Sequence, residues 1–420
     1  MSGRLDDLTP KQVATLQQFR DNVKDVLKPE HDDHYLLRWL RARRFDLNKA
    51  ETMLRNNLTW REQNKVDTIL ETFTIPEVIK KYYIGGLFGR DKEGSLIWID
   101  PYGYMDLKGM LRSAKKSDII KSKIHLLETI YKKFDELTQK EGRRVDQLVI
   151  IFDLQYMGLK HLWKPGVDVL LEVLAMFEDY YPETLKVSYV INAPRIFPIA
   201  YSLVRPILSE DTVRKIHVLG SNYKDTLLKY IDEDQIPAHW GGTYTDPDGD
   251  PRAVSHICFG GDIPSSYYCQ ELTNLENFTE TSIGRGSSLQ LEYEIKIPRS
   301  LIRWQFKTDG FDIGFGIFYR KSSGRQKAGE MEPILASQRV NSHMIPEDGS
   351  ITCQQEGTYV VRFDNTYSWA HGKKLFYLIE VIAPDVRDLD MTQSSPTKAE
   401  TQFYFSDQGV SDVKSPDVIS

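Results

Sequence analysis

The chain has 420 residues, 40% of them hydrophobic and 27% charged, with a net charge of −6. That length favours two or three domains with their own cores, the composition is that of a soluble globular protein, and the acidic balance argues against a general nucleic-acid binder. Three cysteines, Cys258, Cys269 and Cys353, are odd in number and late in the chain, which argues against a disulfide framework and suits a reducing compartment.

The opening MSGRLDDLTP has no apolar core of a secretory leader, and no run of 18 apolar residues occurs. Neither a cleaved signal nor a membrane span is expected. Residues 8–66 read as a helical lead-in. The first helix has Thr9 as N-cap and Pro10 at its first position, and Val13, Leu16, Phe19, Val23, Val26 and Leu27 keep helical spacing. Two more amphipathic helices follow, around 32–43 and 47–64. The second helix carries LLRWLRARRFD, in which Arg38, Arg41, Arg43 and Arg44 stand among Leu36, Leu37, Trp39, Leu40 and Phe45. Residues 36–65 hold eight Lys/Arg against three Asp/Glu, and residues 104–145 hold eleven against six. Such patches on an acidic protein are either anion sites, a membrane-facing surface or solvated helix faces.

From 76 to 243 short apolar runs alternate with helical stretches. SLIWID (95–100), QLVIIFDL (147–154), LKVSYVINAP (185–194) and RKIHVLG (214–220) are separated by amphipathic stretches near 117–140, 164–180 and 197–208. This pattern predicts an α/β domain whose mostly parallel sheet is covered by helices. Val167, Leu170, Leu171, Leu174 and Phe177 fall on one helical face. The Gly, Pro and Asp of WGGTYTDPDGDPRAV predict an interdomain linker at 244–256. Asp246, Asp248 and Asp250 imitate the start of a calcium loop, but Pro251 and Ile257 stand where it needs Gly and Glu. Beyond the linker the period becomes two: Leu289, Leu291, Tyr293, Ile295 and Ile297 alternate with Gln290, Glu292, Glu294 and Lys296. Residues 257–384 therefore read as an antiparallel β-sandwich, and 385–420, polar and rich in Ser, Asp and Thr, as a disordered tail.

Phosphate loops, dinucleotide glycine motifs, nucleophile elbows and zinc-protease motifs are missing from the sequence, and its histidines form no ligand cluster. No metal, cofactor or catalytic residue is expected.

LLRWLRARRFD, YYPETLKVSYVINAPRIFPIAYSLVRPILSEDTVRKIHVLG and IPAHWGGT together resemble the CRAL-TRIO lipid-transfer family with its N-terminal extension (1–66) and lipid-binding domain (76–243). RGSSLQLEYEI, RWQF, GFGIF, SHMIPEDGSITC and YVVRFDNTYSW resemble a GOLD β-sandwich (257–384). The first resemblance implies a hydrophobic pocket between sheet and helices, a mobile gate helix and one lipid ligand, such as a phosphoinositide, phosphatidylcholine, tocopherol, squalene or a retinoid-like molecule. In phosphatidylinositol-binding members a basic pair, a Glu, a Thr and a Lys contact the inositol phosphate; these correspond to Arg43, Arg44, Glu183, Thr212 and Lys215. Members that hold phosphatidylcholine have Ser/Thr-rich sequence where this chain has Met157 to Trp163, which argues against a choline lipid and leaves room for a less polar one.

The gate falls on RIFPIAYSLVRPIL. Phe197, Ala200, Tyr201, Leu203, Val204, Ile207 and Leu208 are its expected pocket-lining residues, with Leu170, Leu174 and Phe177 facing them, and Pro198 and Pro206 bound the segment. An apolar helix that swings outward would also dip into a membrane interface. For the arginines two readings stand: a phosphate site completed by Glu183 and Lys215, or carboxylate pairs that pin the lead-in to the main domain. The expected function is a cytoplasmic lipid carrier, transiently at membranes. A lipid-sensing adaptor whose GOLD domain docks a protein or membrane is the alternative, and a lipid enzyme is disfavoured by the missing motifs.

Overall fold

The computed structural model describes residues 5–268 and 277–384, apart from 322, 323, 325, 344 and 345. Cys269 and the 385–420 tail lie outside the described residues. The chain divides into two compact units, the first running through Asn274 and the second comprising Leu275–Val381.

The first unit begins with three helices, α1 (Pro10–Val23), α2 (Asp33–Ala42) and α3 (Leu47–Gln63). Each starts where a side chain satisfies a free backbone N–H. Thr9 accepts from Gln12 N at 3.3 Å while the Gln12 side chain accepts from Thr9 N at 2.9 Å, and Asp32 and Asp46 cap the other two. Their apolar faces meet at Leu16, Phe19, Leu36, Trp39, Leu40 and Leu54.

The central sheet has the order β1 (Gly86–Arg90), β2 (Leu96–Asp100), β3 (Leu148–Asp153), β4 (Leu185–Ile191) and β5 (Ile216–Val218). Strand β1 runs antiparallel to β2, and the remaining pairs are parallel. Both faces are occupied, which is why the strand sequences are nearly unbroken apolar runs. Ile97, Ile99, Val149, Ile151, Tyr189 and Ile191 point to one side and pack with Leu227, Ile231, Trp240 and Ile257. By the period-two rule Trp98, Asp100, Ile150, Phe152, Ser188 and Val190 point to the other, and all six line a cavity there. That side also carries α4 (Lys116–Glu141), α5 (Lys164–Tyr180), α6 (Phe197–Val204) and α7 (Glu210–Arg214).

The 244–256 stretch, expected as a linker, is folded into this first unit. Asp246 accepts from Ser255 N at 3.0 Å, Asp250 pairs with Arg252 at 2.6 Å, and Ala253 and Ile257 are fully buried against the sheet. Gly/Pro/Asp-rich sequence marks chain reversals, and here the reversals lie within a unit.

The second unit is a β-sandwich of two antiparallel four-stranded sheets. Their orders are β10 (Glu332–Val340), β9 (Ile313–Tyr319), β12 (Gly357–Asp364), β7 (Ser288–Ile295), and β11 (Glu347–Thr352), β8 (Leu301–Asp309), β13 (Lys373–Ile382), β6 (Thr279–Ile283). Ile302, Phe306, Phe315, Ile317, Val361 and Phe363 form its core. The alternation read for 289–297 holds through Ile295, where β7 ends.

Candidate functional site

The space between the sheet and helices α5 and α6 is a cavity of about 360 Å³ with a mostly apolar wall. Single-ligand pockets typically have volumes of about 300–1,000 Å³. The wall follows from helical periodicity. On α5, Val167, Leu170, Leu174 and Phe177 face inward, three or four residues apart. On α6, Phe197, Ala200, Tyr201, Leu203 and Val204 do the same, and Leu208 continues the row. Ile207 departs from the sequence expectation and is not on the wall. The helix ends at Val204, and tighter turns follow, Ile207 N donating to Val204 O at 3.0 Å and Leu208 N to Arg205 O at 3.2 Å. Those turns rotate Ile207 away and keep Leu208 in place. Pro198 sits in the first turn of α6, where its missing N–H costs nothing, and Pro206 follows the last turn.

Four of the expected headgroup residues reach this wall. Arg43, Glu183, Thr212 and Lys215 are on the cavity wall. Glu183 and Lys215 also border a second cavity, of about 390 Å³, whose wall is polar. Arg38, Arg41, Arg143, Arg144 and Lys186 join Lys215 there, against the carboxylates of Glu93, Asp146 and Glu183. Six cations and three anions line the basin, and Lys186, Arg143 and Arg144 are also paired with Asp91, Glu141 and Asp32 beyond its wall. Glu183 lies between the two cavities, with its side chain 16% exposed and its Oε2 3.6 Å from both Arg41 Nε and Lys215 Nζ. Its backbone is left-handed, with φ of 58°, a conformation that disfavours a residue with a Cβ.

Local backbone geometry sorts the arginines. At the end of α2, Phe45 N donates to Leu40 O at 2.7 Å and Arg44 N to Arg41 O at 3.0 Å. This is a Schellman turn, with Arg44 at the left-handed position (φ of 52°) that glycine usually holds. The turn leaves Arg43 on the apolar wall and sends Arg44 outward. Arg44 is exposed and pairs with Glu210 at 3.1 Å and Asp211 at 3.7 Å, and it borders neither cavity. Arg38 is half-buried, donates to the Tyr131 hydroxyl and, at 2.6 Å, to Asp146 O, and ties the lead-in to α4 and to the segment just before β3. The arginine that reaches Glu183 is Arg41, which the sequence analysis did not assign to the headgroup site. The available signal was its position one helical turn after Arg38. Arg143 and Arg144 belong to the basic patch at 104–145, but only the fold brings them to the basin.

Comparison with known proteins supplies the family. Residues 80–242 match the CRAL/TRIO domain and residues 8–56 the CRAL/TRIO N-terminal domain. A Caenorhabditis elegans protein named Protein ctg-1 is 32% identical over 377 residues, 89% of this chain and 97% of its own length. The chain belongs to the CRAL/TRIO family. CRAL/TRIO proteins bind and transfer lipids, and both cavities are built from CRAL/TRIO segments, with Arg38 and Arg41 from the N-terminal module and Glu183 and Lys215 from the main one. Among solved structures, one titled "Crystal structure of Sfh5" aligns over 60% of this chain and 94% of its own, at 16% identity and a TM-score of 0.47. The periplasmic lysozyme inhibitor PliG of Aeromonas hydrophila aligns over 25% of this chain and 83% of its own, at 12% identity and a TM-score of 0.19. No described helix is long and apolar enough to cross a membrane.

Proposed function

We propose that the protein carries one lipid in the apolar cavity and exchanges it at membrane surfaces through outward movement of α6. The observation that carries this reading is open space of about 360 Å³, walled by apolar side chains, in the position where an ordinary domain would be packed. Each CH2 withdrawn from water contributes about 0.8 kcal/mol, so a ligand of some twenty such groups gains on the order of 16 kcal/mol. Only a comparably apolar wall lets extraction from a bilayer run near balance. Helix α6 suits a gate because it is short, bounded by prolines and apolar on the side that meets the ligand.

A phosphoinositide would place its chains in the apolar cavity and its phosphate in the basin, against Arg41 and Lys215, with Arg43 and Thr212 at the rim. Glu183 would then exchange its ion pairs for the inositol hydroxyls. A tocopherol or squalene-like ligand would use the apolar cavity alone. The second unit reads as a GOLD sandwich, and the pairing resembles that of supernatant protein factor, also called tocopherol-associated protein.

The test is vesicle-to-vesicle transfer by the full chain carrying Arg41→Ala and Lys215→Ala. Phosphoinositide transfer should fall at least tenfold, because charge-assisted bonds contribute about 1.5–3 kcal/mol each, while tocopherol and squalene transfer persist. Equal loss of both ligand classes contradicts the headgroup role, and transfer of neither by the unaltered protein contradicts the carrier.

A further inference from the structure

Glu183, whose carboxylate stands between Arg41 and Lys215, is held in a left-handed conformation that is unfavourable for a residue with a Cβ. A chain of hydrogen bonds runs through the residue that follows it. Arg38 on α2 donates to the Tyr131 hydroxyl on α4. That hydroxyl lies 2.7 Å from Thr184 Oγ1, which in turn lies 2.9 Å from Tyr181 O. The direction is fixed at both ends. A guanidinium only donates and a carbonyl only accepts, so Tyr131 gives its single proton to Thr184 and Thr184 gives its own to Tyr181 O. Bonds aligned in one sense reinforce each other where water is excluded, and Thr184 is 7% exposed. The last bond closes the turn from Tyr181 to Thr184, and Glu183 lies inside that turn. Its flanks are held as well: Leu148 N donates to Thr184 O at 2.8 Å, the Tyr181 hydroxyl to Glu128 Oε1 at 2.8 Å, and Asn57 Nδ2 to Tyr180 O at 2.9 Å. Tyr131 itself borders neither cavity, so it acts on a ligand only through this chain.

We propose that Tyr131 is a positioning residue for the headgroup site: its hydroxyl fixes the Tyr181–Thr184 turn so that Glu183 stays between Arg41 and Lys215, and it thereby sets the preference for an inositol phosphate over a wholly apolar lipid. The inference rests on the phosphoinositide reading above and adds the residue that holds its site in shape. Without that hydroxyl, Arg38 and Thr184 lose the partner they share, the turn is free to leave the left-handed region, and the Glu183 carboxylate moves off the two cations. The apolar side chains of α5 and α6 take no part in the chain. A phenyl ring in place of the phenol also keeps the ring contacts with Phe134 and Tyr181.

The experiment measures vesicle-to-vesicle transfer of phosphatidylinositol, tocopherol and squalene by the full chain and its variants. Tyr131→Phe should lower phosphatidylinositol transfer by about three- to tenfold, the range that a broken buried hydrogen bond spans, and leave tocopherol and squalene transfer near the unaltered rate. Thr184→Val should do the same, whereas Thr184→Ser keeps the hydroxyl and should keep phosphatidylinositol transfer. Combining Tyr131→Phe with Thr184→Val should lose no more than the larger single change, because both cut one chain. A residue that merely supports the fold would lower the melting temperature and the transfer of all three lipids together. Parallel loss of all three lipids, an unchanged phosphatidylinositol preference in folded Tyr131→Phe, additive losses in the double variant, or a Tyr131→Phe chain that does not fold each overturns the inference. In those cases selective loss of phosphatidylinositol transfer in Arg41→Ala with Lys215→Ala leaves the headgroup reading standing. An unaltered protein that moves no phosphatidylinositol removes that reading and this inference together.

Discussion

Leu174→Trp separates an empty chamber from a packed core by the sign of its effect. Leu174 is half-buried on α5 and faces the cavity, so the indole would enter open space and not its neighbours. The larger ring covers on the order of 80 Å² of additional apolar surface, and at about 25 cal/mol per Å² this gives roughly 2 kcal/mol of added stability to the ligand-free protein. The same ring takes the room of three or four ligand CH2 groups. At about 0.8 kcal/mol each, their displacement costs about 3 kcal/mol of affinity, or on the order of a hundredfold. Thermal unfolding of delipidated protein and lipid uptake from vesicles would be read side by side: the melting temperature should rise by a few degrees and uptake should collapse. An over-packed core behaves in the opposite way, losing about 1–3 kcal/mol. Lower stability with normal uptake would mean that the space around Leu174 is packed and that the ligand lies elsewhere.

Three further outcomes follow from the geometry. Asp100 is raised from the ordinary carboxylate range to about 6 by burial, so its carboxyl is neutral in folded and unfolded states alike below about pH 4. The folded state then loses stability as pH rises from about 4 to about 6, by up to roughly 3 kcal/mol; Asp100→Asn should therefore gain over the unaltered protein above pH 6 and not near pH 4, and a pH-independent difference in denaturant unfolding would contradict this. Arg44→Gly removes a left-handed residue with a Cβ and two exposed ion pairs that contribute little, so the melting temperature should hold or rise and phosphoinositide transfer should be unchanged; a loss like that of Arg41→Ala would put Arg44 back at the headgroup. Deleting 385–420, whose composition is polar and acidic, should leave transfer intact in the vesicle assay, and lost activity would count against its dispensability.

The legible parts of the fold were those set by periodicity. Helix α5 runs Lys164–Tyr180, as its apolar spacing indicated, and Leu170, Leu174 and Phe177 line the cavity because one helical face must meet the sheet. The strands were visible because burial on both faces keeps them apolar. What escaped was decided by single dihedral angles and by long-range approach. The Schellman turn that separates Arg43 from Arg44 has no glycine to announce it, and the turns after Val204 that displace Ile207 follow a proline already read as a boundary. Asp246 and Ala253 sit in a turn-rich sequence indistinguishable from a linker until Ile257 is seen packed on the sheet. Asp100 and Lys123 look like solvent-facing ends of an apolar strand and a basic helix. Only the closure of α4 over β2 brings both to a hydrocarbon wall.

The central claim is that the chamber holds one lipid at a time. Solvent extraction of the purified full chain, with mass spectrometry of the extract and a protein assay on the same sample, tests it most directly. Close to one lipid per chain is expected, and far less from Leu174→Trp prepared identically. A chain that comes through purification without lipid, and that takes up none when offered vesicles of phosphatidylinositol, tocopherol and squalene, would contradict it.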